Sequence, residues 1–295
     1  MNRWRQAIAV VFVVLIVGSG GALLYFSMPY HGSASSIEQV RDDPQVTVTT
    51  EAGVHVLTPA DTNSTIGLVF YPGARVAPDA YYSTFAPLAT RANVTVFIPK
   101  MPLNLALLDT DAAESIRSEH PGIRTWFIGG HSLGGVAACQ YASSQDVRGL
   151  VLFASYCNAD IRDEPLTVLS VTGSADTVLN RESYQEANTR LPPNTTSHEI
   201  RGMNHTQFAS YSGQRGDSPA PLTYDEAHQR LADVLVPWLT NQSSHSLEIL
   251  FFRHNKICNG GLSSVDRLVP VVGDGFIPLV GRFVLWRHLL TDDFL

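Results

Sequence analysis

The stretch Thr125-Trp126-Phe127-Ile128-Gly129-Gly130-His131-Ser132-Leu133-Gly134-Gly135 decides the reading of this chain. A short apolar run ends in Gly-x-Ser-x-Gly, and small residues come next. The pattern predicts a strand that turns sharply into a helix, with Ser132 at the tip of the turn. Side chains two residues before and after the Ser would collide there, so Gly130 and Gly134 fit the turn. The helix would start at Leu133, with its first N–H groups facing the tip.

Working outward, short apolar runs alternate with helical patterns. Strands are expected at Val46–Thr50, Val54–Thr58, Ile66–Phe70, Val94–Ile98, Thr125–Gly129, Gly149–Ala154, Leu166–Thr172 and Thr196–Ile200. The first two form an antiparallel hairpin around Glu51-Ala52-Gly53. Helices are expected at Pro78–Arg91, Leu103–His120, Leu133–Ser144, Asn180–Arg190 and Thr223–Leu239. The alternation predicts an α/β fold, with a mostly parallel central sheet and helices on both faces. Only Ser155–Pro165 separates two successive strands after the elbow helix, which leaves no room for a large cap domain and predicts an open site. The Gly-, Ser- and Pro-rich stretch Gln207–Leu222 is the expected flap.

A Ser hydroxyl needs a base, and the base needs an orienting acid. Sites of such sheets lie beyond the carboxyl ends of the strands. Asp176 comes after the strand Leu166–Thr172 and is the expected acid; Asp160, Asp163 and Glu164 lie at that strand's other end. His205 comes after the last strand and is the expected base, whereas His198 lies within it. His131 is fixed beside the nucleophile, with packing or a pocket wall as its role. For an oxyanion, Leu133 N–H is one expected donor, and the loop Tyr71-Pro72-Gly73-Ala74 supplies the second, Ala74 before Gly73. Tyr71 is a candidate for lining the acyl pocket.

Gly130–Gly135, Asp176 and Gly202-Met203-Asn204-His205 together resemble the α/β-hydrolase superfamily. Tyr71–Ala74 with Lys100-Met101-Pro102-Leu103-Asn104-Leu105-Ala106 is similar to a small uncapped group related to its dienelactone-hydrolase-like branch. The resemblance spans Val46–Leu239. It implies the α/β-hydrolase fold and a serine hydrolase with a Ser132–His205–Asp176 triad and backbone oxyanion donors, without supplying a natural substrate; a small-molecule acyl substrate such as a carboxylic ester is expected for such a triad. Dienelactone hydrolases proper carry Cys at the elbow, so their particular activity is not implied. The alternative is a catalytically silent surface binding protein on the same fold.

Composition bounds the rest. The chain has 295 residues, 44% hydrophobic and 16% charged, with a net charge of −7. That acidity, without basic clusters, argues against nucleic acid as a partner. No metal-ligand pattern or phosphate loop is present, and no cofactor is expected. Three cysteines make no metal pattern, and Cys139 reads as a buried core thiol.

Gln6–Tyr30 carries no formal charge, and Ala7–Phe26 is long enough for one bilayer crossing of about 20 residues. Arg3 and Arg5 precede it; Glu38, Asp42 and Asp43 lie after it. This asymmetry predicts a single-pass membrane anchor in residues 1–30, with the main domain outside the cytosol. A cleaved signal peptide and secretion is the alternative. Sequons at Asn63, Asn93, Asn194, Asn204 and Asn241 agree with export. Residues 31–45 read as a linker, 46–241 as the hydrolase domain, and 242–295 as a tail with no assigned structure.

Overall fold

The computed structural model describes residues 23–60 and 64–258, with side chains as far as Ser243, together with Trp4, Phe12, Gly20 and Gly21. The chain divides into two units, Met1–Ser243 and Ser244–Leu295, and the sheet belongs to the first. Most of the expected anchor Ala7–Phe26 lies outside the described residues. Among the described residues no helix is long and apolar enough to cross a membrane. The tail beyond Cys258 and the sequon at Asn63 also lie outside them.

Eight strands form one sheet: β1 (Val46–Glu51), β2 (Val54–Pro59), β3 (Ile66–Tyr71), β4 (Val94–Pro99), β5 (Thr125–His131), β6 (Gly149–Phe153), β7 (Thr167–Gly173) and β8 (Thr196–Ile200). Their order is β1-β2-β4-β3-β5-β6-β7-β8. The β1–β2 hairpin and the β2–β4 pair are antiparallel. The remaining pairs are parallel.

Continuous apolar runs make these strands because both faces of the sheet are buried. Successive side chains point to opposite faces. Leu68 and Phe70 of β3, Phe127 of β5, and Val151 and Phe153 of β6 enter one core cluster. Val69, Ile128, Leu150 and Leu152, in the alternate positions, enter the other.

The helices α1 (Ala34–Arg41), α2 (Tyr82–Ala92), α3 (Ala112–Glu119), α4 (Leu133–Ala142), α5 (Arg181–Ala187) and α6 (Tyr224–Cys258) accompany the sheet. The first cluster takes in Phe85 and Leu88 of α2, with Ala227, Leu231, Leu235 and Trp238 of α6. The second takes in Ala113 and Ile116 of α3 and Ala137, Ala138 and Tyr141 of α4. The sheet is thus covered on both faces, and among the described residues no cap domain interrupts it.

Three expectations are corrected. The polar stretch read as a linker contains α1, capped by Ser33, whose Oγ accepts the Ser36 N–H; its Val40 joins the core. The expected helix Leu103–His120 is helical as α3 only from Ala112; before it come two 3-10 turns, Pro102–Asn104 and Ala106–Leu108. The reason is that Leu103 and Asn104 both adopt positive φ, 50° and 55°, which no α-helix tolerates. Cys139 is not a free core thiol, because it forms a disulfide with Cys157. That bond ties α4 to the segment after β6.

Candidate active site

The turn from β5 into α4 is built as its sequence demands. Ser132 stands at φ 52°, ψ −125°, a conformation L-residues rarely adopt. A Cβ on Gly130 would lie 2.3 Å from the Gly134 backbone, and one on Gly134 would lie 2.2 Å from the Tyr71 carbonyl oxygen. Only glycine lets α4 leave this close to β5 and β3. The strained turn is held from two sides. Ser132 N–H donates to Phe153 O at 2.9 Å. The buried Ser155 hydroxyl donates to Ser132 O at 2.6 Å. Ser132 itself is only 6% exposed.

The loops after β7 and β8 bring the acid and the base together. Asp176 Oδ2 lies 2.9 Å from His205 Nδ1, and both side chains are buried. The other oxygen of Asp176 accepts the N–H groups of Val178 and Leu179 at 2.8 and 2.9 Å. Burial alone would raise the Asp176 pKa. The His205 hydrogen bond and charge and the two amides outweigh it, and hold the carboxyl below the usual range. The carboxylate is therefore an acceptor at neutral pH, so His205 carries its proton on Nδ1 and keeps Nε2 free to accept.

His205 Nε2 is buried and has no hydrogen-bond partner. The expected bond from Ser132 Oγ to this atom is thus not formed, although the His205 ring packs against the neighbouring His131 ring, tilted by 42° with centroids 4.5 Å apart. Such contacts are often long in unliganded enzymes.

The segment after His205, expected to be a flap, is instead anchored where it leaves the site. Asp217 accepts the N–H groups of His205 at 3.2 Å and Thr206 at 2.9 Å. Gln207 Oε1 accepts Asn204 N–H, and its Nε2 donates to Leu222 O. Thr206, Gln207, Phe208 and Ala209 are buried. Asn204 is buried too and donates to Ser218 O, so its sequon is not presented for modification.

The loop after β3 is fixed amide by amide. Gly73 N–H donates to the Tyr81 hydroxyl at 2.9 Å. Arg75 N–H donates to Asn104 O at 2.8 Å, and Val76 N–H to Gly73 O at 3.0 Å. Gly73 is therefore spoken for as a donor, and the Ala74 N–H is the amide of this loop left out of these bonds. A strap from the N-terminal side adds to the hold. Tyr30 bridges to Val76, and the Arg75 guanidinium donates to Met28 O while lying 3.7 Å from the ring centre of Tyr25.

Tyr71 and His131, each read as either a pocket wall or packing, are both buried. Tyr71 is wholly buried, and its hydroxyl is consumed by structure: it donates to Thr110 O and accepts Ala113 N–H at the start of α3. It sits one strand position from Phe70 and so faces the α3–α4 side of the sheet. His131 is wholly buried against His205, Phe208 and Tyr81. Burial first, and the charge of His205 second, push its pKa well down, so the ring is neutral. His198 lies on an exposed part of β8. Sequence reasoning missed Tyr81, Ser155 and Asp217. Ser155, a small polar residue just past a buried strand, carried a weak signal; the other two carried none.

Among the described residues no group of acidic, His and Cys side chains could hold a metal ion. The arrangement can hold a carboxylate-oriented imidazole next to a strained serine, at the N-terminus of a helix.

Known proteins agree with this architecture. A candidate lipase (lip1) from Acinetobacter baumannii superposes with a TM-score of 0.53 at 14% identity, covering 72% of this chain and 96% of that one. The esterase domain of a Rhodothermus marinus protein gives 0.50 at 12% identity, covering 66% and 97%. A predicted CIB-like hydrolase from Thermoplasma acidophilum gives 0.50 at 17%, covering 66% and 99%. At these identities the likeness shows the fold alone. No curated protein matches the sequence. The alpha/beta hydrolase family pattern matches residues 67–229, more than half of the chain, and the protein belongs to that family.

Proposed function

We propose that the protein is a serine hydrolase that cleaves carboxylic esters or related acyl bonds through an acyl-enzyme at Ser132. The observation that carries this reading is the Asp176–His205 pair, buried at 2.9 Å beside the elbow, with His205 Nε2 unengaged. His205 Nε2 removes the Ser132 proton as Oγ attacks the acyl carbon. The proton passes to the leaving alcohol as the tetrahedral intermediate collapses. Water, activated by the same imidazole, then releases the acid and restores Ser132. Leu133 N–H and Ala74 N–H are the oxyanion donors in this reading. The first is supported by its place at the start of α4, the second by the commitment of the other loop amides.

The site works outside the cytosol and is held at a membrane by the N-terminal segment. The charge asymmetry around Ala7–Phe26 supports this. So does the exposure of Leu23, Leu24, Tyr25 and Met28, and so does the Cys139–Cys157 bond, since disulfides persist in oxidising compartments.

A fluorophosphonate probe tests the chemistry. The purified wild type should be labelled and should hydrolyse p-nitrophenyl esters, and Ser132→Ala should do neither while keeping its fold. A folded wild type that is not labelled would return the protein to the class of silent binding modules.

A further inference from the structure

We propose that Tyr81 and His131 form a positioning pair that locks the loop after β3 onto the elbow, and so fixes the direction of the Ala74 N–H. The proposal rests on the serine-hydrolase reading and adds to it how the second oxyanion donor is held.

An oxyanion site works only if its donors are already aimed when charge develops. Leu133 N–H is aimed by α4. Ala74 lies in a loop on another strand and must be tied to the elbow by something else. Gly73, its neighbour, donates its N–H to Tyr81 Oη at 2.9 Å. Tyr81 Oη also lies 3.0 Å from His131 Nδ1. The hydroxyl has one proton, and the Gly73 N–H can only donate. The Tyr81 oxygen accepts the Gly73 N–H and still has both a proton and a second lone pair for His131 Nδ1, so the hydroxyl joins the loop amide to the imidazole in either ring tautomer. Tyr81 and His131 show no exposed surface and Gly73 is buried. Gly73 fits against the imidazole because it lacks a side chain: a Cβ there would lie 3.0 Å from His131 Nδ1.

His131 precedes Ser132 in the chain, and its ring packs against His205 with centroids 4.5 Å apart. One contact path thus runs from the oxyanion loop, through Tyr81 and His131, to the base. The neutral state of His131 matters at its end. His205 must become an imidazolium in the transition state, and a second positive ring packed against it would oppose that charge. Simple packing would not require this arrangement. A Phe at 81 fills nearly the same space, but leaves the Gly73 N–H buried without an acceptor.

Three variants test the pair: Tyr81→Phe, His131→Phe and His131→Asn. Asn can present an amide oxygen to the Tyr81 hydroxyl, and Phe cannot. With a short-chain p-nitrophenyl ester, Tyr81→Phe and His131→Phe should lower kcat about 10- to 100-fold with KM within about twofold, an indirect share of what loss of a whole oxyanion donor costs. A boronic acid that forms a tetrahedral adduct at Ser132 should bind more weakly by a similar factor, while the carboxylate product binds as before. His131→Asn should recover a large part of the kcat lost in His131→Phe.

Wild-type kcat in either Phe variant, even with a lowered Tm, overturns the proposal. So does a loss confined to KM, or an Asn variant no better than the Phe variant. If Tyr81→Phe does not fold, the comparison of His131→Phe with His131→Asn decides alone. Failure of the underlying reading looks different: a folded wild type that neither reacts with fluorophosphonate nor turns over the ester.

Discussion

His205 Nδ1 and Asp176 Oδ2 lie 2.9 Å apart, with side chains 1% and 0% exposed. A charge-assisted hydrogen bond this far from water fixes the ring and its tautomer together. Asp176→Asn should therefore keep the fold but turn the imidazole. The new amide can donate to Nδ1, which places the ring proton on Nε2, where it cannot accept from Ser132. The expected loss in kcat is about 10³- to 10⁴-fold, with an unchanged far-UV circular dichroism spectrum. Activity within tenfold of wild type would mean that Asp176 does not orient the base.

The elbow depends on a residue outside its motif. Ser155 Oγ donates to Ser132 O at 2.6 Å, in a place where a Cβ on Gly135 would lie 2.4 Å from that same hydroxyl. Ser155→Ala removes the donor and leaves Ser132 O with the Gly135 N–H at 3.0 Å. A stability loss of about 1 kcal/mol is expected in urea unfolding. The kcat should fall more than KM rises, because the strained φ of Ser132 is what the contact holds. Unchanged kinetics with unchanged stability would show the contact to be incidental.

Much of this was legible in the chain, for reasons that particular residues show. Leu68-Val69-Phe70 reads as a strand because both of its faces are buried. Gly130 and Gly134 read as an elbow because no other residue fits the approach of α4 to β5 and β3. Asp176 and His205 could be placed because strand ends are where this topology gathers its loops. Tyr81 and Ser155 could not, since each acts through a partner distant in sequence and neither belongs to a local pattern. The Cys139–Cys157 bond was hidden for the same reason. Leu103 and Asn104 take positive φ with no glycine to announce the turn, and there the helical reading failed. The loop position of Tyr71 fits either a pocket wall or packing, and the phase of β3 turns it toward α3.

Stability should fall on mild acidification. His131 and His228 are buried, and burial is the larger cause holding both pKa values down. The unfolded chain takes up protons at these positions near pH 6.5, and the folded chain does not. Their contribution is complete above about pH 7 and is lost as pH drops through and below 6.5, by up to about 1.4 kcal/mol per pH unit for each ring. Asp176 has the opposite origin. Its depressed pKa stabilises the fold above the ordinary carboxylate range, and that contribution is lost only as pH falls through the lowered value. The window between about pH 4.5 and 6.5 therefore belongs to the histidines. His228 also contacts Ala209 O through Nε2 at 3.1 Å. His228→Gln can keep a donor there without titrating. Urea unfolding at pH 7.5, 6.5 and 5.5 should show a steeper decline for wild type than for His228→Gln; equal slopes would remove His228 from the account.

The Cys139–Cys157 bond joins the helix that carries the elbow to the segment after β6, across a separation of 18 residues. Closing a loop of that size in the unfolded chain is worth about 3 kcal/mol. Reduction, or a Cys139→Ala/Cys157→Ala double variant, should lower unfolding stability by roughly that amount. The effect should not stop at stability. Ser155, two residues before Cys157, holds the Ser132 carbonyl, so loosening this segment should also reduce the rate of fluorophosphonate labelling at temperatures below the melting transition. A reduced protein that melts earlier but is labelled at the wild-type rate would separate the two roles, leaving the disulfide as a staple of the fold with no hold on the nucleophile.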